Sequence, residues 1–473
     1  MLSYKNHSEK ISLIKESKLS LRENVTFFLN RIKDNSNLNA YNFVFEDCIE
    51  CADIIEKKIK DGNAGKLAGM VIAVKDVLAI KDRPLTCSSN ILKDFNSLYT
   101  ATAIQKLINE DAIIIGKTNC DEFAMGSSNE NSAFGAVKNP VDTSRVPGGS
   151  SGGSAVAVAA NLCDVSIGTD TGGSIRQPAA FCGVYGLKPT YGRVSRYGLT
   201  AFASSFDTIG PFAKNIEDIA LVLSVISGYD PKDSTSQNIE VPEFNLYESA
   251  EKKFKIGLPK EYFAEGLNEE IRNAILEKVE LLKKAGHEII NIELPHTEYS
   301  IATYYILTTA EASSNLARFD GAHYGYRSNE SYSLKDLYVN SRTEGFGAEV
   351  KRRIMLGTYV LSAGYYDAYY LKAQKVRRLL KKDFDNAFQK VDLILTPTTP
   401  TTAFKLGEKS NDPLEMYLED IYTTSANLVG IPGINIPIGK DKQGLPIGMQ
   451  LMANQFDEQR LLDVGKYFVE LIN

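Results

Sequence analysis

The chain has 473 residues, of which 43% are hydrophobic and 24% are charged. This length and composition exclude a disulfide-stabilised mini-protein and a disordered chain, and they allow a large buried core. Lys and Arg total 53 against 59 Asp and Glu, which gives a net charge of −6. Because proteins that grip phosphate backbones are usually basic, the acidic balance argues against nucleic-acid binding by this chain alone.

Cysteine usage and the first residues of the chain indicate its compartment. Six cysteines in so long a chain favour reduced thiols. The lone pair Cys48 and Cys51 lacks a second pair, so we expect helix packing rather than a metal site. The N-terminus has no apolar segment typical of a signal peptide, and no apolar run approaches the ~18 residues of a membrane span. We therefore expect a cytoplasmic protein that does not bind membranes.

Apolar spacing in the first half of the chain predicts helices, followed by strands that alternate with helices. Recurrence every three or four residues indicates amphipathic helices, and short β-branched runs indicate buried strands. The predicted helices cover 21–32, 43–60, 102–109 and 155–160, and the predicted strands cover 71–74, 112–115 and 165–168. Glycine- and serine-rich loops follow at 147–154 and 171–174. This alternation predicts an α/β fold with a parallel or mixed sheet.

The second half of the chain begins with a polar stretch at 230–246, for which we predict a loop or linker. Further on, the predicted elements are strands at 256–258, 391–396 and 433–439, a helix over 268–285 and a largely helical stretch at 300–388. We interpret residues 1–473 as one α/β domain. Its predicted parts are a helical layer at 1–66, the α/β core at 67–230, a mainly helical insertion at 231–388 and a return to the core sheet at 389–473.

The glycine- and serine-rich centre could be a linker, a phosphate-binding loop or a turn that carries a nucleophile. The strand-like and helix-like runs on either side argue against a linker. Residues 116–118 match the end of a phosphate-binding P-loop, but Asp111 stands where its first glycine belongs. A nucleophile turn fits better, although serine needs a base and none of the four histidines lies near this part of the sequence.

Lys75 ends the apolar strand at 71–74 and is a candidate for that base. A lysine acts as a base only when neutral, and at its usual pKa near 10.4 about one molecule in 10³ is neutral at pH 7. Burial would have to lower its pKa by about 2 to 3. A lysine at a strand end is by itself most often a surface residue, so Lys75 becomes a candidate only together with the serine loops.

Three motifs together resemble the amidase signature family. They are the strand at 69–76 that carries Lys75, the run Gly-Gly-Ser-Ser-Gly-Gly-Ser at 148–154 and the run Gly-Thr-Asp-Thr-Gly-Gly-Ser-Ile-Arg at 168–176. Their order and spacing are highly specific, and the resemblance extends over essentially the whole chain. It implies the amidase-signature fold, in which helices cover both faces of a large mixed β-sheet.

The resemblance also implies a catalytic triad of Lys75, Ser150 and Ser174. Neutral Lys75 would take a proton from Ser150, which takes one from Ser174, and Ser174 would attack an amide carbonyl to form an acyl ester. The family carries a cis peptide bond before the bridging serine, so we expect a cis bond between Gly149 and Ser150. Such bonds are rare outside proline and mark functional geometry.

The turn before Ser174 is expected to stabilise the charge that develops on the substrate oxygen. Thr171, Gly172 and Gly173 can direct successive N–H groups at this oxyanion, and a helix that starts at Ser174 would add to the field. Asp170 and Arg176 stand on either side of this turn. For both of them we expect a bracing role rather than direct catalysis.

Within the family, the stretches at 121–127, 311–315, 349–357 and 416–420 resemble glutamine-hydrolysing subunits of tRNA-dependent amidotransferases. Free glutamine carries a carboxylate and an ammonium group, so its pocket needs a cation and an anion. The resemblance places these roles on Arg353 and Asp420. Because Arg352 points about 100° away from Arg353 on a helix, we expect only one of them to face the pocket and prefer Arg353. The other residues expected to line the site are Met125, Gly126, Tyr304 and Tyr305.

The resemblance implies a glutaminase that supplies ammonia for the ATP-dependent conversion of Glu-tRNA(Gln) to Gln-tRNA(Gln). The sequence leaves open whether Asp-tRNA(Asn) is also amidated. The implied assembly is a heterotrimer with subunits B and C, in which a kinase-like partner binds tRNA, ATP and Mg²⁺ and a small partner wraps the two large ones. This chain would bind no cofactor or metal itself. The alternatives are a stand-alone amidase for another small amide, which would not need Arg353 and Asp420, and a non-enzymatic scaffold, against which the complete triad argues.

Overall fold

The computed structural model describes residues 4–244, 246, 253–410 and 412–472. Eleven strands in this part of the chain join into one sheet. They are β1 (Tyr41–Val44), β2 (Val71–Lys75), β3 (Ile113–Thr118), β4 (Val165–Asp170), β5 (Tyr185–Lys188), β6 (Thr208–Ala213), β7 (Lys255–Pro259), β8 (Glu288–Ile292), β9 (Leu393–Pro397), β10 (Gly433–Lys440) and β11 (Pro446–Met452). Their order across the sheet is β1-β3-β2-β4-β6-β5-β10-β11-β9-β7-β8. The pairs β3–β2, β2–β4, β9–β7 and β7–β8 are parallel and the others antiparallel, so the sheet is mixed.

Helices surround this sheet. They are α1 (His7–Lys15), α2 (Leu21–Asp34), α3 (Glu50–Asp61), α4 (Thr102–Asn109), α5 (Gly152–Ala159), α6 (Arg176–Cys182), α7 (Ile216–Ile226), α8 (Glu269–Lys284), α9 (Ser300–Asn315), α10 (Leu334–Gly345), α11 (Ala348–Val360), α12 (Lys372–Phe388), α13 (Pro413–Leu418), α14 (Thr424–Val429) and α15 (Glu458–Ile472). A short π-helix at Tyr366–Leu371 leads into α12. None of the described helices is long and apolar enough to cross a membrane.

Both faces of the sheet are buried, and β2 shows why. Successive side chains of a strand point to opposite faces. Val71 and Ala73 therefore pack in a core that includes residues of α2, α3 and α5, whereas Ile72 and Val74 pack in the larger core on the other face. A strand that is buried on both faces has a continuous run of apolar residues, and the run at 71–74 is the pattern that predicted β2. The predicted mixed sheet with helices on both faces is confirmed.

The predicted helix at 43–60 is wrong in its first part. Tyr41–Val44 forms the edge strand β1, which pairs antiparallel with β3, and a short 3₁₀-helix at Glu46–Ile49 precedes α3. The open edge of β3 needs backbone partners, and this tertiary pairing overrides the helical spacing of the side chains. The N-terminal layer is therefore not helical throughout, and its first three residues lie outside the described part.

Four further strands, β5, β6, β8 and β11, were not predicted. Three of them contain glycine, at Gly186, Gly210 and Gly448, which weakens the β-branched signature of a strand. The segment 231–388 is mainly helical in its described residues, but it also supplies β7 and β8 to one end of the sheet. The predicted loop at 230–246 contains no helix or strand in its described residues, and residue 245 lies outside them.

Candidate active site

Lys75 lies at the end of β2, between two parallel neighbours, and its side chain is fully buried. It shares the face of Val71 and Ala73, which is the face that α5 covers. Its Nζ atom donates hydrogen bonds to Ser150 Oγ at 2.8 Å, Ser151 Oγ at 2.8 Å and Thr169 Oγ1 at 2.9 Å. Within the described residues Lys75 has no ion-pair partner, so all three ammonium protons are directed at neutral hydroxyl groups.

Burial lowers the pKa of Lys75 from its usual value to about 8, although nearby acidic groups, Asp121 and Asp170 among them, oppose the shift. Desolvation disfavours the charged form of a lysine, and no carboxylate in direct contact compensates for it here. With this pKa roughly a tenth of the molecules are neutral at pH 7, which is about a hundred times more than for a free lysine. The side chain is thus suited to accept a proton.

The loop that carries Ser150 is held by Asp121. The N–H of Asp121 donates to the carbonyl of Ser150 at 3.1 Å, and its carboxylate accepts the N–H groups of Asn129 and Asn131 at 2.9 and 3.0 Å. Gly149 packs so closely on this carboxylate that a Cβ atom would overlap with it, which explains the glycine. The Gly149–Ser150 peptide bond is cis, as predicted.

Ser174 lies in the second glycine turn, directly after β4, and is 8% exposed. The carboxylate of Asp170 accepts the N–H groups of Gly173 and Ile175 at 2.9 and 3.1 Å and pairs with Arg176 at 3.0 Å. Burial alone would raise the pKa of Asp170, but Arg176 outweighs it and holds this pKa at about 2. Asp170 and Arg176 therefore brace the turn, as expected from the sequence.

The helix α6 begins at Arg176, two residues after the expected start at Ser174, although the N–H of Gln177 donates to the carbonyl of Gly173 at 2.8 Å, so that a first helical turn already encloses Ser174. The carboxylate of Asp170 accepts the N–H of Ile175, and Ser174 lies in the turn before the helix. The helix has seven residues, and Ser174 is two positions from its first residue.

Gln177 connects the two serine loops. Its Oε1 atom accepts the N–H of Gly149 at 2.9 Å, and its Nε2 atom donates to the carbonyl of Ser127 at 2.7 Å. The structure thus brings the Ser150 and Ser174 segments together through one buried amide. No hydrogen bond joins the hydroxyls of Ser150 and Ser174 among the described residues, so their proton transfer stays a prediction.

The predicted oxyanion donors differ in how free their N–H groups are. The N–H of Gly173 already donates to Asp170. Those of Thr171 and Gly172 have no hydrogen-bond partner in the part of the chain that the structure describes. The ring of Tyr304 packs on Gly172 so closely that no Cβ would fit between them. The geometry therefore favours Thr171 and Gly172 over Gly173, and the assignment of all three stays a prediction.

The two neighbouring arginines of α11 have different environments. Arg353 is buried, whereas 44% of the Arg352 side chain is exposed. Arg353 Nε donates to Glu349 Oε1 at 2.8 Å, and this is its one hydrogen bond within the described residues. Its guanidinium lies 5.2 and 5.6 Å from the ring centres of Tyr305 and Tyr417. Its two terminal nitrogens thus remain available to a carboxylate.

A small cavity of about 70 Å³ lies beside this guanidinium, and its lining includes Gly126 and both arginines. Asp420 is not part of that lining but is connected to it, because its carboxylate accepts a hydrogen bond from Ser127, the neighbour of Gly126. Burial raises the pKa of Asp420 to about 8, which Ser127 and Arg353 partly counteract. Met125 is fully buried beside Gly126 in the chain.

Tyr304 and Tyr305 meet edge to face at 5.0 Å, and Tyr305 stacks on Tyr417 at 3.8 Å. Tyr304 thus reaches the glycine turn before Ser174, while Tyr305 reaches Arg353. The two tyrosines thus connect the turn before Ser174 with Arg353. Their contact with substrate stays a prediction.

Several residues of the site were missed in the sequence. Ser151 and Thr169 stand inside the two motifs, but nothing in the sequence shows that they share the Lys75 ammonium. Glu349 stands four residues before Arg353, a spacing at which helical side chains meet, so this pairing could have been predicted. Nothing in the sequence marks Gln177 as a residue of the site, because its hydrogen-bond partners Gly149 and Ser127 lie 28 and 50 residues away in the chain.

Comparisons with known proteins show the family to which the chain belongs. The profile of the amidase family matches residues 23–462. The A subunit of glutamyl-tRNA(Gln) amidotransferase from Koribacter versatilis is 58% identical over 435 residues, which is 91% of each chain. The protein of the same name from Sulfurihydrogenibium is 54% identical, over 99% of this chain and 97% of its own. The crystal structure of the same protein from Thermotoga maritima matches with a TM-score of 0.77 at 38% identity, over 94% of this chain and 93% of its own. The chain belongs to the amidase signature family and has its fold.

Proposed function

We propose that the chain is the glutamine-hydrolysing subunit of a tRNA-dependent amidotransferase. The observation that carries the proposal is the buried Lys75, whose three protons are directed at the hydroxyls of Ser150, Ser151 and Thr169 and whose pKa burial lowers to about 8. Such a lysine can exist neutral at physiological pH and can activate a serine. The high identity to proteins named as the A subunit of glutamyl-tRNA(Gln) amidotransferase supports the choice of reaction.

The reaction proceeds in two steps. Neutral Lys75 accepts the proton of Ser150 while Ser150 accepts that of Ser174, and Ser174 Oγ attacks the amide carbonyl of the substrate. N–H groups of the turn at 171–173 stabilise the oxyanion. As the C–N bond breaks, the proton returns through Ser150 to the leaving nitrogen, which departs as ammonia. Water then attacks the Ser174 ester by the same proton route and releases glutamate.

Glutamine is recognised by its two charged groups. The terminal nitrogens of Arg353 bind the α-carboxylate, because a guanidinium offers two parallel donors to a carboxylate. Asp420 binds the α-ammonium, and Tyr304, Tyr305, Met125 and Gly126 complete the pocket. A neutral amide would gain nothing from this buried pair of charges, which is why we favour glutamine over the substrates of a stand-alone amidase.

The ammonia is used by partner subunits B and C in a cytoplasmic heterotrimer. The larger of these partners, the B subunit, binds the tRNA together with ATP and Mg²⁺ and converts Glu-tRNA(Gln) to Gln-tRNA(Gln). The smaller one, the C subunit, wraps the two large subunits. This chain contributes no cofactor. Its net charge of −6 accords with tRNA being held mainly by the partner.

The test is reconstitution with the partner subunits from the same genome. The assembled complex should form Gln-tRNA(Gln) from Glu-tRNA(Gln) only when glutamine and ATP are both present. Free ammonium should replace glutamine, and a complex that carries Ser174→Ala should still work with ammonium. If the purified chain alone hydrolyses many neutral amides faster than glutamine, and no tRNA product forms with partners, the chain is a stand-alone amidase.

A further inference from the structure

Thr423 links the glycine turn before Ser174 to the segment that carries Asp420. It is fully buried and stands directly before α14. Its hydroxyl donates to the carbonyl of Gly172 at 2.7 Å, and its N–H donates to the carbonyl of Asp420 at 3.1 Å. One residue that the sequence did not mark therefore contacts both the turn of the nucleophile and the segment expected to bind the substrate ammonium group.

The hydroxyl of Thr423 does not serve the helix that follows it. A threonine directly before a helix usually accepts an N–H group of the first turn through its side-chain oxygen. Thr423 makes no such bond to α14. Its hydroxyl has one proton, and the two carbonyl oxygens within reach are those of Gly172 at 2.7 Å and Asp420 at 3.1 Å. The shorter bond is the one to Gly172, so the hydroxyl mainly holds the turn.

The peptide group between Gly172 and Gly173 is held at both of its polar atoms. Its carbonyl accepts the Thr423 hydroxyl, which is its one hydrogen bond within the described residues, and its N–H donates to the carboxylate of Asp170 at 2.9 Å. Arg176 joins the two anchors, because it donates to the carbonyl of Thr423 at 3.0 Å and to the Asp170 carboxylate at 3.0 Å. These contacts form a closed ring of hydrogen bonds that includes the turn.

The turn needs such anchors because two of its residues are glycines. Gly172 and Gly173 restrict the backbone less than other residues do, so the directions of the N–H groups depend on the contacts around the turn. Tyr304 packs on Gly172, and a Cβ atom on Gly173 would overlap with Thr423. The N–H groups of Thr171 and Gly172, which have no partner in the described part of the chain, are therefore directed by this packing and by the ring of hydrogen bonds.

We propose that Thr423 is a positioning residue for the oxyanion turn. Its hydroxyl holds the peptide between Gly172 and Gly173, so that the N–H groups of Thr171 and Gly172 point at the substrate oxygen that becomes charged. Thr423 acts through the turn and does not touch the substrate. The inference rests on the proposed function and deepens it, because it adds a residue that contributes in the transition state rather than in substrate binding.

Initial rates of glutamine hydrolysis by the full chain test this role. Thr423→Val keeps the shape of the side chain but removes its hydroxyl, so it should lower kcat at least about tenfold while KM changes less than about threefold. Thr423→Ser keeps the hydroxyl and should retain kcat within about threefold of the wild type. Thr423→Ala should show the same loss as Thr423→Val, and it provides the same test if the valine variant folds poorly.

Thr424→Val is the matched control. Thr424 is equally buried and stands next in the chain, but its hydroxyl has no hydrogen-bond partner among the residues that the structure describes. The same substitution should leave kcat within about twofold at this position, because no hydrogen bond is lost. For every variant kcat is expressed per folded molecule, which urea unfolding determines. The rise of kcat with pH should keep its midpoint in Thr423→Val, because Lys75 is unchanged.

A loss of kcat as large for Thr424→Val as for Thr423→Val would reveal a packing effect and overturn the inference. A raised KM with kcat retained in Thr423→Val would also overturn it, because Thr423 would then hold Asp420 rather than the turn. So would an unchanged kcat, a shifted pH midpoint or a serine variant as slow as the valine variant. If the wild type hydrolyses neutral amides faster than glutamine, the proposed function fails, and the same variants measured on the preferred amide still decide the role of Thr423.

Discussion

Lys75 and Lys117 are two fully buried lysines on the neighbouring parallel strands β2 and β3, but their partners differ. Lys117 lies 3.0 Å from a carboxylate oxygen of Asp76 and donates to the carbonyl oxygens of Leu78 and Pro84 at 2.8 and 3.2 Å. These groups only accept hydrogen bonds. Lys75 instead donates to three hydroxyl groups, which can also donate.

This difference separates a lysine held by a countercharge from one that can exchange a proton with its neighbours. If Lys117 lost its proton, Asp76 would become an uncompensated buried charge, which is costly. If Lys75 loses a proton, its lone pair can accept a hydrogen bond from a hydroxyl. Ser151 already donates its own proton to the carbonyl of Thr169 at 3.0 Å, so it is less able to serve. Ser150 and Thr169 remain as neighbours of Lys75, and Ser150 is the one for which a bridging role towards Ser174 is predicted.

The largest expected effect is that of Ser174→Ala. This change removes the nucleophile but no charge, and Ser174 is not part of the bracing network of Asp170. We expect glutamine hydrolysis to fall by more than about 10⁴-fold, in line with the loss of a catalytic serine elsewhere. Ammonia release from glutamine measures it, and thermal melting should be unchanged within a few degrees. Retention of a tenth of the activity would rule out Ser174 as the nucleophile.

The next prediction compares the two lysines directly through Lys75→Met and Lys117→Met. Lys75→Met should lower kcat by at least about 10³-fold, because general-base catalysis is lost. Lys117→Met should instead lower the free energy of unfolding by about 3–5 kcal/mol, because it leaves the Asp76 carboxylate buried without its countercharge, with only the hydrogen bonds from Asn42 and Thr86. Urea unfolding and kcat per folded molecule separate the two effects. A kcat loss as large for Lys117 as for Lys75 would remove the distinction between them.

The same comparison shows how far the sequence could predict the site. Lys75, Ser150 and Ser174 could be predicted as site residues because each stands in a short sequence motif. The sequence does not show that Lys75 is paired with hydroxyl groups and Lys117 with Asp76. Both lysines follow a short, mostly apolar run, so their surroundings in the sequence look alike. The pairing depends on which segments the sheet brings together.

The fold was predictable to a similar extent and for a related reason. β2 and β3 are buried strands that begin with β-branched apolar runs, so the sequence predicts them, and β4 is buried as well but shows this signal only at Val165 and Ile167. β1 and β8 lie at the two edges of the sheet, where the side chains are only partly buried and alternate weakly. Such strands are specified by backbone pairing with a neighbour rather than by their own residues.

A smaller effect is expected when the charges that bind glutamine are removed. Arg353→Gln and Asp420→Asn should each raise KM for glutamine about 10- to 100-fold, since a hydrogen bond to a charged group contributes about 1.5–3 kcal/mol. The change in kcat should be smaller, because the triad is retained. Initial rates over a range of glutamine concentrations measure both constants. An unchanged KM in both variants would mean that the pocket binds a different amide.

The pH dependence should follow the pKa of Lys75, which burial lowers to about 8. The active form is the deprotonated one, so kcat should rise with pH and level off above about pH 8, by roughly tenfold between pH 7 and pH 9. Asp420 also has its pKa raised to about 8 by burial, and its active form is ionised, so kcat/KM should rise in the same direction. Asp420→Asn should remove its own contribution from kcat/KM and leave the rise in kcat. A flat kcat from pH 6 to pH 9 would contradict the assignment of Lys75 as the base.

The smallest effect is expected for Arg352→Ala, and it decides between the two arginines of α11. Arg352 is 44% exposed and forms an ion pair with Glu349, so its removal costs little at the surface. Arg353 still has Glu349 and the rings of Tyr305 and Tyr417 to hold its guanidinium after that change. KM for glutamine should therefore change less than about twofold, against the 10- to 100-fold rise predicted for Arg353→Gln. If the two variants gave the reverse order, the exposed arginine would be the one that binds the substrate carboxylate, and the buried one would serve only to orient Glu349.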